Sequence, residues 1–241
     1  MKLRLCILLA CILIISCGVE EYYYLPQVPD GDINRTSNME AVVDIPPISD
    51  DIYYAAYYTI FYRIYPSEHN TLAYITPNYM STISSSLSSD FSFLSNVADP
   101  TNTTSVPTSN TFTGRNYSEI EFQGADVRSK LSTAGGTLRI SFPATVGGIP
   151  VAIINGEQFS LFRSSKLISP VPDRFFRNTS ELRDRANANS NANADVAVHT
   201  GSPQYTYVSM YIAAIGTNPT NFNQILSKPT HISVFRLTDF Y

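Results

Sequence analysis

Apolar and polar residues alternate most regularly over residues 57–65. Successive side chains of a β-strand point to opposite faces, so alternate positions in this run share one face. The pattern predicts a central strand that stops at Pro66. Its continuous apolar face holds Tyr58, Ile60, Tyr62 and Ile64.

Three more alternating runs lie close together between residues 137 and 163. Gly147-Gly148 separates the first run from the second, and Asn155-Gly156 separates the second from the third. Both residues of an Asn-Gly pair tolerate the positive φ of a type I′ turn, so the pair is a strong hairpin signal. The segment is predicted to be a three-stranded meander.

Other segments are also predicted to be strands. Residues 205–215 are apolar on both alternate faces, which is typical of a strand inside a sandwich. The remaining candidates are a first or edge strand at Met39–Ile45, a strand at Tyr117–Phe122 with Ile120 and Phe122 on one face, and a last strand at Thr230–Leu237.

Helical periodicity occurs between Met80 and Val97, where apolar residues recur every three or four positions. This spacing predicts one helix packed on the sheet. Residues 101–114 are predicted to form a polar loop, and residues 169–203 a long excursion that includes a near Asn-Ala repeat at 186–194. The repeat has too little apolar surface to order itself.

The chain begins with Lys2 and Arg4 followed by an unbroken apolar run from Leu5 to Ile15. A basic start, a short apolar run and a small residue at the cleavage point are typical of a secretory signal peptide. A membrane-spanning helix needs about 20 apolar residues, more than this run has. We therefore expect export, with residues 1–16 removed.

Composition favours a mainly β fold. The chain has 16 Tyr and 13 Phe but is only 15% charged, as expected for half-buried strands joined by polar loops. Without Lys2 and Arg4, 14 basic residues remain against 20 acidic ones, a net charge of −6. Nucleic-acid binding requires a basic surface, so we do not expect this protein to bind nucleic acid.

The junction Ile14-Ile15-Ser16-Cys17 resembles the lipobox of bacterial lipoproteins. The resemblance implies cleavage between Ser16 and Cys17, a diacylglycerol on the Cys17 thiol and an acyl chain on its amino group. An ordinary signal peptide and an uncleaved anchor are the alternatives. Cys6 and Cys11 lie in the removed segment, so no disulfide would form and no cofactor beyond the lipid is expected.

Two strands resemble those of the fibronectin type III and immunoglobulin-like sandwich. Residues 58–65 are similar to the third strand of that family, and residues 207–216 with Lys228-Pro229-Thr230 are similar to its last two. The resemblance implies a β-sandwich. In this chain the two regions are much farther apart than in the family, so the helix and meander would be elaborations within an insertion over residues 66–204.

A second resemblance runs through most of the chain. It is to uncharacterised spirochaetal lipoproteins, those of treponemes in particular, and it implies a membrane-anchored protein without an established activity. The matching stretches are the lipobox, Tyr-Tyr-Tyr-Leu-Pro at 22–26, Phe-Tyr-Arg-Ile-Tyr at 61–65, residues 172–182 and Lys-Pro-Thr at 228–230.

Motifs for catalysis or metal binding are missing from the sequence. His69, His199 and His231 lack zinc-protease spacing, and no nucleophile elbow or phosphate loop occurs. The alternating Asn residues that end at Asp195 superficially resemble a calcium loop. They lack its carboxylates, its turn glycine and its terminal glutamate. We expect neither a metal site nor catalytic residues.

Phe175 and Phe176, flanked by Arg174 and Arg177, are the candidate partner-contact residues. The alternative, which we favour, is that the two rings attach the excursion to the sandwich.

The expected organisation is a signal peptide over 1–16, a lipidated tether over 17–38 and one β-sandwich domain over 39–241. Tyr22-Tyr23-Tyr24 in the tether would pack on the domain, the favoured alternative, or lie at lipid headgroups. The expected function is a non-enzymatic binding or structural role at the cell envelope, anchored to the inner or outer membrane, with a protein or glycan partner. The alternative is a small-ligand carrier or an enzyme with a pocket between sandwich and meander.

Overall fold

The structure is a computed structural model. It describes residues 25–37, 39–48, 54–68, 118–131, 134–143, 145, 148–164, 174–183, 195–196, 201–217, 224–227 and 229–238. In these residues the chain is mainly β, with two antiparallel sheets. The strands are β1 (Ile33–Asn34), β2 (Glu40–Ile45), β3 (Tyr54–Ser67), β4 (Ser118–Glu119), β5 (Glu121–Phe122), β6 (Gly136–Ser141), β7 (Val151–Ile154), β8 (Glu157–Phe162), β9 (Tyr205–Thr217), β10 (Gln224–Leu226) and β11 (Thr230–Arg236), and the helices are α1 (Val127–Lys130) and α2 (Ser180–Arg183).

The first sheet has six strands in the order β1-β2-β6-β7-β8-β5. The predicted meander is confirmed as β6, β7 and β8, which pair consecutively and antiparallel. β6 also pairs with the whole of β2. The meander therefore forms the middle of a sheet and is not an elaboration added to a finished sandwich.

The turn between β7 and β8 has the predicted conformation. Asn155 and Gly156 both have positive φ, 49° and 90°. The Asn155 side-chain oxygen also accepts a hydrogen bond from the backbone N–H of Thr137 at 3.0 Å. This bond ties the hairpin tip to the start of β6.

The second sheet has the order β10-β9-β3-β4, and β11 also pairs with β9. β3 and β9 pair from Tyr54 opposite Thr217 to Ser67 opposite Tyr205. The prediction that residues 205–215 are apolar and enclosed on both faces is confirmed, because β9 is buried from Thr206 to Gly216.

Pro66 does not stop β3, contrary to the sequence prediction. Ile64, two residues earlier, donates its N–H to the carbonyl of Asp195, on the edge away from β9. Residues two apart on a strand direct their N–H groups to the same edge. The missing N–H of Pro66 therefore costs no bond to β9, and the strand continues to Ser67.

The predicted strand over residues 117–122 is divided between the two sheets. β4 pairs with β3, and β5 pairs with β8. Ile120, between them, donates its N–H to the carbonyl of Ile60 at 2.9 Å. Ile120 and Phe122 are both buried, as the apolar pattern predicted. The chain thus crosses from one sheet to the other within five residues.

The two sheets share one apolar core, as in a β-sandwich. The predicted apolar face of β3 is buried in it together with Leu138 and Ile140 of β6. Phe142 stacks on Phe235 with ring centroids 4.6 Å apart, which joins the end of β6 to β11. Burial of these apolar side chains is the main favourable contribution to the stability of the fold.

The described part of the predicted tether belongs to the folded body. Leu25, Val28 and Ile33 are buried, and β1 pairs with β2. The apolar residues in this stretch occur without regular periodicity, so the sequence did not distinguish it from a linker. The body therefore begins by Leu25 and not at Met39.

Several predictions fall outside the described residues. They are the signal peptide over 1–16, the cleavage and lipidation residues Ser16 and Cys17, the packing of Tyr22-Tyr23-Tyr24, the helix at 80–97, the loop at 101–114 and the Asn-Ala repeat at 186–194. α1 and α2 are short helices that the sequence analysis did not predict.

A buried ion pair joins three distant parts of the chain. Arg163 donates two hydrogen bonds to the Asp195 carboxylate, from Nε at 2.9 Å and from Nη2 at 2.6 Å. The Tyr62 hydroxyl donates to Asp195 at 2.8 Å and accepts from the N–H of Ser164 at 2.9 Å. Burial, followed by the charge of Asp195, raises the pKa of Tyr62 well above its usual value, so the phenol stays a neutral donor.

We predict that Asp195→Asn lowers the free energy of unfolding by about 3–5 kcal/mol, because the buried Arg163 charge loses its counter-ion. Urea unfolding measures the change. The matched control is Glu157→Gln, which removes the exposed pair with Lys130 and should cost at most about 1 kcal/mol. Equal effects of the two substitutions would contradict the prediction.

Candidate functional site

A cavity of about 340 Å³ lies where the chain crosses between the sheets, beside β3, β4, β5 and α1. β3 contributes residues that alternate with its core-facing set. These residues face away from the core that the two sheets share, so the cavity lies beside the crossing and outside that core. Its lining residues are Tyr57, Thr59, Glu119, Ile120, Glu121, Phe122, Ala125, Asp126, Val127, Arg128 and Ser164.

Acidic side chains outnumber basic ones in the cavity lining. Arg128 lies over the Tyr57 ring, 5.1 Å from its centroid. Burial, followed by the negative charge of Glu119, raises the pKa of Tyr57. The Asp126 side chain accepts a hydrogen bond from the N–H of Arg128 at 3.0 Å and caps α1. The cavity has a mildly acidic rim with one arginine and one protonated phenol.

Next to the cavity, the structure brings together most of the predicted partner-contact residues. Phe175 packs on Phe162 of β8 with ring centroids 5.0 Å apart, and the Arg177 guanidinium lies 4.1 Å from the Phe175 centroid. Arg174 lies over Phe162 and forms an ion pair with Glu121. We call Phe162, Arg174, Phe175 and Arg177 the Arg-Phe cluster.

The two adjacent phenylalanines have different environments. Phe176 is 1% exposed and packs edge-on against Tyr62, with ring centroids 4.8 Å apart. Phe175 is half-buried, outside the core. Attachment to the sandwich, the favoured alternative, describes Phe176. The side chains that reach the surface are those of the Arg-Phe cluster.

Backbone pairing holds the Arg-Phe cluster in place. The N–H of Arg163 donates to the carbonyl of Arg174 at 2.8 Å, and Phe162 bridges to Phe175. Two residues connect the cluster, the cavity and the buried ion pair. Glu121 lines the cavity and pairs with Arg174, while Ser164 lines the cavity and donates to Tyr62.

Of the three histidines, the structure describes His231, whose ring packs among neighbouring side chains. Its Nε2 lies 3.3 Å from the Ser209 hydroxyl, and its ring lies 4.9 Å from that of Tyr211. Burial, followed by the nearby Arg35 charge, lowers the pKa of His231 to about 4. The imidazole is therefore neutral at physiological pH. His69 and His199 lie outside the described residues.

The described residues include no group of three or more His, Cys, Asp or Glu side chains that could hold a metal ion. Asp195, at the end of the alternating Asn series, pairs with Arg163. Neither this pair nor the acidic side of the cavity was predicted from the sequence. The partners are far apart in sequence, so no local pattern connects them.

Comparisons with protein-family models, with curated proteins and with solved structures find no match for this chain. In the part of the chain that the structure describes, none of the helices has the length and apolar character needed to cross a bilayer.

We predict that Phe176→Ala lowers the free energy of unfolding by about 3–5 kcal/mol, because it leaves a cavity in the core. Phe175→Ala serves as the matched control and should cost about 1 kcal/mol or less, since its ring is only half-buried. Chemical denaturation of both variants gives the comparison. A larger loss for Phe175→Ala would contradict the assignment of Phe176 to the core.

Proposed function

We propose that this chain is a lipid-anchored bacterial envelope protein whose β-sandwich body binds a partner and does not catalyse a reaction. The observation that carries the proposal is the junction Ile14-Ile15-Ser16-Cys17, which follows a short apolar run. Cys17 comes eight residues before Leu25, the first residue that the structure describes, which is buried.

Lipid attachment at Cys17 supplies enough energy for stable membrane association. Each buried methylene contributes about 0.8 kcal/mol, and two or more acyl chains anchor a protein durably. The diacylglycerol and the N-acyl chain provide this number. No other cofactor is required for the proposed role.

The finer proposed fold is a divergent fibronectin type III or immunoglobulin-like sandwich. Supporting it, β9 pairs with β3 on one edge and with β11 on the other. These are the neighbours expected if β3 corresponds to the third strand of that family and β9 and β11 to its last two. The six-stranded sheet built around the meander is a departure from the family. The lipobox and the matching stretches support membership among spirochaetal lipoproteins.

The proposed partner surface is the Arg-Phe cluster. Aromatic and arginine side chains supply much of the binding energy at protein interfaces, and both also suit sugar rings and their substituents. Backbone pairing of Arg174 with Arg163 and of Phe175 with Phe162 holds this segment beside the end of β8, and the Arg177 guanidinium lies over the Phe175 ring. The partner would be a protein or a glycan of the cell envelope.

We predict that Cys17→Ser abolishes membrane association, because the serine hydroxyl cannot take the thioether-linked lipid. Partitioning between detergent and aqueous phases measures the effect. Cys11→Ser is the matched control, since Cys11 lies within the removed segment. Unchanged partitioning of the Cys17→Ser protein would contradict the proposed lipid attachment at this residue.

The cavity supports a second candidate, a small-ligand carrier or an enzyme. Its volume of about 340 Å³ falls within the usual range for small-ligand pockets, and its lining combines apolar side chains with a few polar ones. The excess of carboxylates favours a cationic or polyhydroxylated ligand.

If the carrier function is correct, the purified protein should retain a small molecule that native mass spectrometry detects. Ala125→Phe, in the cavity lining, should abolish retention because the ring occupies the ligand volume. Gln123→Phe, at an exposed neighbouring position, should leave retention unchanged. Absence of any retained molecule, or its equal retention by both variants, would count against a carrier.

A further inference from the structure

The N-terminal segment enters the body at one end of the sandwich and runs toward the middle. Leu25 packs against the last residues of β9. One of its methyl carbons lies 3.3 Å from where a Cβ atom would stand if Gly216 carried one. Two residues later, Gln27 donates to the Thr230 hydroxyl at 3.0 Å. Thr230 lies opposite Ile212, four residues earlier in β9 than Gly216.

The same end of the sandwich is defined by the strand register. β3 begins there at Tyr54, opposite the end of β9 at Thr217. At the far end, β3 finishes at Ser67 opposite Tyr205. Glu68 there accepts a hydrogen bond from the N–H of Ser202 at 2.7 Å, which fixes the far-end loop.

The connection between the lipidation residue and the body is short. The eight residues from Cys17 to Leu25 span at most about 28 Å when fully extended. The thirteen residues of β9 extend about 40 Å at the usual rise for a strand. The connection is therefore shorter than the body to which it is joined.

We propose that the end of the sandwich formed by Leu25, Gly216 and Thr217 faces the lipid bilayer, and we call it the proximal end. The end formed by Ser67, Ser202 and Tyr205, the distal end, then projects away from the membrane. This inference rests on the proposed lipid anchor at Cys17. The bilayer surface is the occupant because the chain that leaves the proximal end reaches its lipid within about 28 Å.

The orientation has a consequence for the cavity. The cavity is lined by Tyr57 and Thr59, in the proximal half of β3. A ligand that enters the cavity would therefore approach close to the membrane surface.

The test uses the full-length lipidated protein in vesicles of phosphatidylethanolamine and phosphatidylglycerol. The mature chain has no free thiol, because Cys6 and Cys11 are removed and Cys17 carries the lipid. A single introduced cysteine can therefore take a donor fluorophore. Thr217→Cys and Pro26→Cys label the proximal end, Ser202→Cys labels the distal end, and Gln158→Cys labels the open face of β8.

Energy transfer to a headgroup-labelled lipid reports the distance of each label from the bilayer. We expect transfer from both proximal labels to exceed that from the distal and β8 labels about twofold or more, because about 40 Å separates the two ends. Equal transfer from all positions, or the highest transfer from Ser202→Cys or Gln158→Cys, would overturn the orientation.

Flotation of the same vesicles separates this inference from the proposed function. Protein that floats but shows no proximal preference refutes the orientation and leaves the lipid anchor in place. Wild-type protein that fails to float with the vesicles refutes both. The second proximal label provides an independent measurement if the Thr217→Cys protein does not fold.

Discussion

The central strand β3 needs a hydrogen-bonding partner along both of its edges. Along one edge β9 pairs with it from Tyr54 to Ser67. The other edge is covered piecewise: Tyr58 donates to Leu131, β4 pairs at Phe61 and Tyr62, and Ile64 donates to Asp195. Buried backbone groups without partners are costly, so these separate segments must all reach β3. Much of the architecture follows from this requirement.

The covering segments also create the candidate site. β4 ends where the chain crosses to the other sheet, and the cavity forms beside that crossing. Asp195 brings its carboxylate into the interior when its backbone pairs with Ile64, and Arg163 neutralises it. The backbone of Arg163 in turn holds Arg174 and the Arg-Phe cluster. The segments that cover the edge of β3, the Arg163–Asp195 ion pair and the Arg-Phe cluster are therefore physically connected.

Sequence periodicity predicted the features that side-chain alternation or turn residues mark directly. The meander, its Asn155-Gly156 turn and the two-sided burial of β9 all follow from side-chain alternation and turn chemistry. Where tertiary contacts determine the bounds or the packing of a segment, the sequence was less informative. β3 extends through Pro66, the run at 117–122 divides between sheets, and residues 25–37 pack on the body. In each case a partner distant in sequence supplies the stabilising bonds.

The candidate site was only partly predictable for the same reason. The Arg174 to Arg177 segment was identified from its composition, but the different burial of Phe175 and Phe176 depends on Tyr62, which no local pattern connects to them. The cavity combines β3 with residues 119–128 and Ser164, and the ion pair joins Arg163 to Asp195. Such sites depend on how strands distant in sequence are arranged in space, and the periodicity of a single sequence does not reveal that arrangement.

The pairing of β3 with β9 also bears on how the protein folds. The paired residues are roughly 150 positions apart in the chain, and contacts of such separation close late and slowly. During synthesis from the N-terminus, β3 emerges long before its partner and exposes an aromatic, apolar strand in the meantime. The meander of β6, β7 and β8 pairs neighbouring segments, so it can form before β9 is synthesised. β3 therefore lacks its longest pairing partner until residues 205–217 become available.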